Sequence, residues 1–166
     1  MLALKTEKEL ARRDELTGTK NKTAYTELER SVQNNIDSPD DYYPFAIVVC
    51  DINDLKKIND SEGHKAGDEY IRAAAKIMCD IFAHSPVYRI GGDEFAIFLR
   101  GDDYNTRDKL IEAMHKKILE NLSRGKGPVI AIGMSEYDPE KDSKMSEVFE
   151  RADASMYEDK KELKGD

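Results

Sequence analysis

The chain has 166 residues and carries 26 Lys and Arg against 34 Asp and Glu, which gives a formal net charge of −8. This length corresponds to one domain at about 150 residues per domain. The acidic balance excludes a nucleic-acid polymer as the main partner, because that binding depends on clustered Lys and Arg. It is compatible with a nucleotide carried with Mg²⁺, since acidic side chains are needed to hold the metal.

The sequence shows neither a membrane span nor a secretory signal. No apolar run approaches the about 18 residues of a transmembrane helix, and a charged stretch follows the first few positions. The two cysteines, Cys50 and Cys79, are not closely spaced and lie in apolar surroundings. We therefore expect a reduced, cytoplasmic segment without membrane contact. A membrane anchor elsewhere in a longer protein stays open.

Residues 1–13 form a charged segment that is compatible with a helix but has little apolar periodicity. Two alternatives are open for this segment. It is either a frayed start or the stub of a longer helix that joins the domain to an upstream regulator.

Apolar spacing predicts helices alternating with four short strands. The helices are expected over 22–35 and 65–82, around 110–122 and around 148–156, with a helical turn at 54–59. The strands are expected over 45–50, 87–90, 95–99 and 129–134. The order helix, βαββαβ, helix predicts an α+β, ferredoxin-like fold, in which helices lie on one face of a four-stranded antiparallel sheet.

Two acidic residues, Asp93 and Glu94, follow the pair Gly91-Gly92 between two predicted strands. Two strands around a Gly-Gly pair predict a β-hairpin, whose tight turn is expected to need positive φ. Asp51 directly follows the buried strand 45–50, which is expected to run beside this hairpin. Asp51 taken alone is also compatible with a helix N-cap. The two acidic residues at the turn are also compatible with a role in solubility alone.

Carboxylates that converge repel one another unless a cation lies between them. Mg²⁺ typically binds one or two carboxylates together with substrate phosphates. Asp51 and Asp93 fit that number, and the carbonyl of Ile52 is a plausible further ligand.

The run 91–95, Gly-Gly-Asp-Glu-Phe, is the signature of the GGDEF family, and the chain resembles its diguanylate cyclases over nearly its whole length. Four further segments are similar to motifs of that family: 14–18 with Asn21, 51–60, 63–68, and 152–157 followed by Lys160. Thr19 replaces the usual Leu of the first motif.

The resemblance implies a nucleotide-cyclase-like palm that condenses two GTP into cyclic di-GMP and releases two pyrophosphates. It implies two Mg²⁺ per active site, for which Mn²⁺ can substitute, and a homodimer in which two domains face each other. It also divides the chain into a linker, 1–13, and a catalytic GGDEF domain, 14–166, and implies an upstream sensor or regulatory domain.

The resemblance assigns roles to individual residues. Asp51, the Ile52 carbonyl, Asp93 and Glu94 would form the metal site, with Asp93 also activating the 3′-hydroxyl and Glu94 supporting the catalytic centre. The substrate-binding residues would be Asn59, His64 and Asp68 at the guanine, Lys56, Lys160 and Lys164 at the phosphates, and Gly91 and Gly92 beside the triphosphate. Alternatives stay open for four of them: solvated helix charges for Lys56 and Lys160, a cap or turn role for His64, and a C-cap for Asn59.

Some positions depart from the family pattern. Asn53 stands where many members have Asp, Leu55 replaces Phe, and Lys164 falls where Arg is frequent. The family's inhibitory Arg-x-x-Asp corresponds here to Phe-Ala-His-Ser at 82–85, so we expect no product inhibition through that site. The alternative function is a catalytically weak or inactive GGDEF domain that binds GTP as a signalling module.

Overall fold

The computed structural model describes residues 2–164, which form one four-stranded sheet and seven α-helices. The helices are α1 Leu2–Ala11, α2 Lys22–Ile36, α3 Leu55–Glu62, α4 His64–Ile81, α5 Gly101–Asn105, α6 Arg107–Arg124 and α7 Met145–Leu163, with a 3₁₀ turn at Pro39–Asp41. The strands are β1 Phe45–Ile52, β2 Val87–Arg89, β3 Glu94–Arg100 and β4 Ile130–Glu136. Within this part of the chain, no helix has the length and apolarity that crossing a membrane requires.

The sheet has the strand order β2-β3-β1-β4, and all of its neighbouring strands are antiparallel. This is the order that a βαββαβ chain gives when α4 and α6 connect the strands on the same side. The α+β, ferredoxin-like prediction is therefore confirmed.

Helices cover both faces of the sheet. One cluster of buried side chains joins Val48 and Cys50 of β1 to α4 and α6, and a second joins Ile47 and Val49 to α2 and α7. The prediction of helices on one face was therefore wrong for α2 and α7. Because successive side chains of a strand point to opposite faces, a strand that is apolar at every position needs cover on both.

The backbone of α7 packs directly on β4 at Gly133. A Cβ atom there would lie 2.2 Å from the amide nitrogen of Met156 and 2.3 Å from the carbonyl oxygen of Ala152. Both are backbone atoms of α7, which cannot rotate away as a side chain can. The contact therefore sets how closely the last helix approaches the sheet.

Several predicted boundaries differ from the structure. β1 continues to Ile52, so Asp51 lies inside the ladder, opposite Glu94 and Ala131, rather than beyond the strand. α3 is a full helix that ends at Glu62 instead of a single turn, and the short α5 was not predicted. Backbone pairing on both sides of β1 explains why a polar residue continues this strand.

The hairpin between β2 and β3 is present, but its turn is wider than predicted. Residues 90–93 separate the strands, and the amides of Ile90 and Gly91 both donate to the carbonyl of Glu94. Neither Gly91 nor Gly92 adopts a left-handed conformation. The expectation of positive φ was therefore wrong, because the connection is longer than a two-residue turn.

We predict that Gly133→Ala lowers the free energy of unfolding by about 1–3 kcal/mol or more, since the new methyl group meets the α7 backbone. Urea unfolding followed by circular dichroism measures this change. Gly92→Ala is the matched control, because a Cβ at Gly92 meets no atom within 4 Å. Equal midpoints for the two variants would contradict the prediction.

Candidate active site

The β1–β3 ladder brings the predicted acidic residues together. Asp51 is paired across the ladder with Glu94, and the amide of Ile52 donates to the carbonyl of Asp93 over 2.9 Å. The acids that end the signature turn therefore lie beside the acid near the end of β1. Pairing of the backbone fixes this proximity, whichever rotamers the side chains adopt.

Asp51 lies in a strongly negative environment with a single cationic partner. The Lys160 ammonium of α7 donates to its Oδ2 over 2.9 Å, while its Oδ1 is buried without a hydrogen-bond partner. Burial raises the pKa of Asp51, the Lys160 hydrogen bond lowers it, and the charge of Asp93 raises it again, with a net upward shift. Burial also raises the pKa of Glu94, and the charges of Asp153, Asp51 and Asp93 add to that rise.

The residues present fit a divalent cation that shares its coordination with a bound ligand. Among residues 2–164, no three His, Cys, Asp or Glu side chains form a metal site by themselves. Asp51 and Asp93 supply the two carboxylates, and the unpartnered Oδ1 of Asp51 is a buried acceptor that lacks a donor. Mg²⁺ is typically held by one or two carboxylates, with substrate phosphates completing its octahedron.

A cleft of about 620 Å³ opens between β1, α3, the hairpin and the end of α7. Five residues predicted from the sequence line it: Ile52, Lys56, Asp93, Lys160 and Lys164. Five others were not predicted as site residues: Asp54, Leu55, Lys57, Asp60 and Ser61. Their spacing along α3 is the signal that could have found them, because positions three and four apart share a helix face.

The N-terminus of α3 lies at this cleft and has no side-chain cap. Asp54 precedes the helix with φ of 59° and makes no capping hydrogen bond. It is the one residue other than glycine with positive φ among residues 2–164. Free amides at a helix N-terminus attract anions such as phosphate.

The three residues assigned to guanine binding lie outside the lining of this cleft, around the junction of α3 and α4. Asn59 packs its side chain over Gly67, where an added Cβ would lie 1.7 Å from Oδ1 of Asn59. Asp68 follows Gly67 and is half-buried, whereas His64 is exposed at the first position of α4. Since α3 ends at Glu62 and its C-cap is Gly63, the alternative of a C-cap role for Asn59 was wrong.

Gly91 and Gly92 are exposed at the hairpin and do not line the cleft. The carbonyl of Gly92 is held by Arg89, whose Nη2 donates to it over 2.8 Å. The same guanidinium pairs with Asp14, at 3.2 Å from Nη1 to Oδ2. Sequence reasoning missed this bridge, which ties the turn to Asp14, in the segment between α1 and α2.

Comparison with known proteins assigns the family. The family model for the diguanylate cyclase GGDEF domain matches residues 11–165. The chain belongs to the GGDEF family. The five sequence motifs had indicated this family, and that prediction is confirmed.

The similar curated proteins are longer than this GGDEF chain. It is 30% identical over 168 residues to the probable diguanylate cyclase DgcT of Escherichia coli, across 95% of this chain and 35% of DgcT. It is 34% identical over 121 residues to diguanylate cyclase A of Treponema denticola, across 69% of this chain and 32% of that protein. The cyclic di-GMP phosphodiesterase PdeR of Escherichia coli is 30% identical over 159 residues, across 89% of this chain and 22% of PdeR. The chain therefore spans at most about a third of each relative.

Solved GGDEF structures have the same fold. The coiled coil and GGDEF domain of DgcB from Caulobacter crescentus, in complex with c-di-GMP, superposes with a TM-score of 0.77 at 25% identity. That match covers 96% of this chain and 85% of the DgcB chain. A microbial GGDEF domain described with cyclic di-GMP gives a TM-score of 0.67 at 28% identity, over 90% of this chain and 93% of the other.

We predict that Arg89→Gln destabilises the domain by about 1–3 kcal/mol at neutral pH, because it leaves the Asp14 carboxylate without its ion pair. Burial raises the pKa of Asp14, but hydrogen bonds from Thr17 and the charge of Arg89 outweigh it, so the net shift is downward. A carboxyl group whose pKa is lower in the folded than in the unfolded protein stabilises the fold at pH values above its unfolded-state pKa, about 3.9 for Asp. This contribution disappears as the pH falls through the folded-state pKa.

Urea titrations at pH 7 and in acid measure this effect, and the difference between wild type and Arg89→Gln should narrow in acid. Lys76→Gln breaks the exposed pair with Asp80 and serves as the control, with an expected change below about 1 kcal/mol. A gap between wild type and Arg89→Gln that stays constant with pH would contradict the assignment.

Proposed function

We propose that this chain is a diguanylate cyclase domain that condenses two GTP into cyclic di-GMP with Mg²⁺ and releases two pyrophosphates. The observation that carries the proposal is the position of Asp93. Its carboxylate lies on the intact signature turn, beside Asp51, and lines a cleft that four lysines also line: Lys56, Lys57, Lys160 and Lys164. A carboxylate that would bind a metal and four ammonium groups that would bind phosphates thus line one cleft.

The chain's own residues account for binding and positioning. The lysines and the uncapped N-terminus of α3 would hold the triphosphate, which matches the general pattern in which phosphoryl transfer depends on positioning and charge neutralisation. Asp51, Asp93, Glu94 and the Ile52 carbonyl would hold two Mg²⁺ ions, or Mn²⁺ in their place. When bound, such ions polarise the phosphate and lower the pKa of the attacking hydroxyl. Asp93 would accept the proton of the 3′-hydroxyl.

The pocket around Asn59, His64 and Asp68 would select guanine. A carboxylate accepts hydrogen bonds from N1–H and N2–H₂ of guanine, a donor pair that adenine lacks. A site built to bind such groups rejects an analogue without them by about 10⁴-fold. Asn59, packed over Gly67, would place its amide next to Asp68 for this purpose.

Ring closure needs two nucleotides, and the proposal gives one to each domain. Each 3′-hydroxyl must face the α-phosphorus of the other GTP, so two copies meet with two-fold symmetry. We extend the proposal to residues 1–13 as a linker from an upstream sensor, to 14–166 as the catalytic domain, and to a cytoplasmic location where GTP is available.

A second candidate function is a GTP-binding signalling module with weak or no catalysis. Asn53, which replaces the frequent Asp, is buried and its Oδ1 has no hydrogen-bond partner. PdeR, a protein named for a different activity, also contains a segment similar to most of this chain. The intact acids at Asp93 and Glu94 favour the cyclase.

We predict that the wild-type chain converts GTP and Mg²⁺ into cyclic di-GMP at high protein concentration, and that Asp93→Asn lowers the rate by at least about a hundredfold. The substitution keeps the side-chain size but removes the charge and the proton acceptor. Mass spectrometry identifies the product, and circular dichroism checks the fold. Asp80→Asn, in an exposed ion pair with Lys76, is the matched control and should keep full activity. GTP binding without product in the wild type would favour the signalling module.

We also predict that micromolar cyclic di-GMP leaves the turnover of this chain unchanged. In the segment corresponding to the inhibitory motif, Phe82 is buried in the core and the Ser85 hydroxyl is bonded to Asp103. The motif's guanidinium and carboxylate are therefore both missing. Initial rates measured with and without added product test this, and strong non-competitive inhibition would show that another site binds the product.

A further inference from the structure

Lys160 makes a contact that the phosphate-binding role does not explain. Its ammonium lies 2.9 Å from Oδ2 of Asp51, and both side chains are largely shielded, with 25% and 13% exposed. Among the side chains described, those of residues 7–38 and 40–164, Lys160 is the one cationic group within ion-pair distance of Asp51. A group assigned to the substrate thus neutralises a group assigned to the metal.

This pairing has a clear electrostatic cause. Asp51 is close to the charges of Asp93 and Glu94 at the end of the ladder, so an unpaired Asp51 would be costly to bury. The ammonium supplies the missing positive charge from α7. A divalent cation at Asp51 would meet the same ammonium at close range, and two like charges separated by about 4 Å repel strongly in a partly buried site.

Resting on the proposed function, we propose that Lys160 is an exchangeable counter-ion. Its ammonium neutralises Asp51 until a nucleoside triphosphate enters the cleft. The side chain then moves so that the ammonium pairs with the phosphates instead. Metal binding and nucleotide binding are thereby coupled. The divalent cation binds weakly to the free domain and tightly once the nucleotide has drawn Lys160 away.

The exchange needs only a side-chain movement. Lys160 contacts Asp51 and lines the triphosphate cleft at the same time, so both partners lie within reach of one flexible four-carbon chain. Before the exchange, Oδ1 of Asp51 is without a partner and Oδ2 is occupied. After it, both oxygens of Asp51 would be free to bind a cation. By reciprocity, the metal strengthens nucleotide binding by the same factor.

The test measures Mn²⁺ binding to the full chain by electron paramagnetic resonance, with and without a GTP analogue carrying a methylene bridge between the α- and β-phosphates. The wild type should bind Mn²⁺ weakly alone and at least about fivefold more tightly with the analogue, the low end of typical coupling. Lys160→Met should bind Mn²⁺ at least about fivefold more tightly than the wild type without any nucleotide. The analogue should then raise the Mn²⁺ affinity by a smaller factor than in the wild type, because only direct coordination by its phosphates remains.

Lys161→Met is the matched control, because it removes the same charge at the next position. Lys161 is exposed and pairs with Glu158, so this variant should leave Mn²⁺ binding unchanged. It separates the local contact at Asp51 from the general effect of net charge. Lys160→Arg keeps the charge and should retain weak binding without nucleotide.

Thermal unfolding checks that each variant folds, and Lys160→Gln provides a second neutral variant whose amide can still donate to Asp51. The proposal is overturned if neither neutral variant gains Mn²⁺ affinity, or if the wild type binds Mn²⁺ equally well with and without the analogue. Failure of the cyclase assignment would appear differently, as GTP that yields no cyclic product. The binding measurement needs no turnover, so the two failures are distinguishable.

Discussion

Crowding of carboxylates at one end of the sheet governs the candidate site. Asp51, Asp93 and Glu94 are brought together by the β1–β3 ladder, and Asp153 of α7 adds its charge nearby. Burial disfavours the ionised forms of Asp51 and Glu94, and the neighbouring negative charges add to this effect. Such a group is stable only with cations beside it. The structure supplies one from within, Lys160, and leaves one oxygen of Asp51 for another.

The apolar core fixes where this charge lies. Phe45, Ile47 and Val49 of β1 face α2 and α7, while Ala46, Val48, Cys50 and Ile52 face α4 and α6. By alternation Asp51 shares the α7 face, where Lys160 meets it. A shift of one residue in the pairing register of β1 would move the carboxylate to the opposite face of the sheet and exchange the faces to which its apolar side chains point. The packing of β1 therefore determines which helix can neutralise Asp51.

The sequence predicted what depends on local pattern. The apolar run of β1, the helical spacing of α4 and α6, and the hairpin around Gly91 and Gly92 each follow from neighbouring residues. The motifs also indicated the family. They predicted which residues contact a substrate, but not which side chains contact one another. Apolar periodicity could not show that α2 and α7 cover the second face of the sheet. It identifies the buried face of a helix but not the surface against which that face packs.

The missed contacts are all long-range. Lys160 and Asp51 are 109 positions apart, and Arg89 and Asp14 are 75 apart. Neither pair belongs to one helix face or one strand, so only the folded chain brings them together. Polar residues also obscured the local pattern: Asp51 looked like the residue that ends β1, yet backbone pairing on both sides keeps it in the strand.

The two long-range ion pairs constrain the same hairpin from different directions. Arg89 holds the Gly92 carbonyl and binds Asp14, which lies just beyond α1. Lys160 binds Asp51, whose neighbour Ile52 donates its amide to the Asp93 carbonyl. The hairpin is thus tied to Asp14 through Arg89, and the neighbouring Asp51 is tied to α7 through Lys160. Of these two cations only Lys160 lines the cleft, so a ligand bound there would meet the cation of α7 and not the one that binds Asp14.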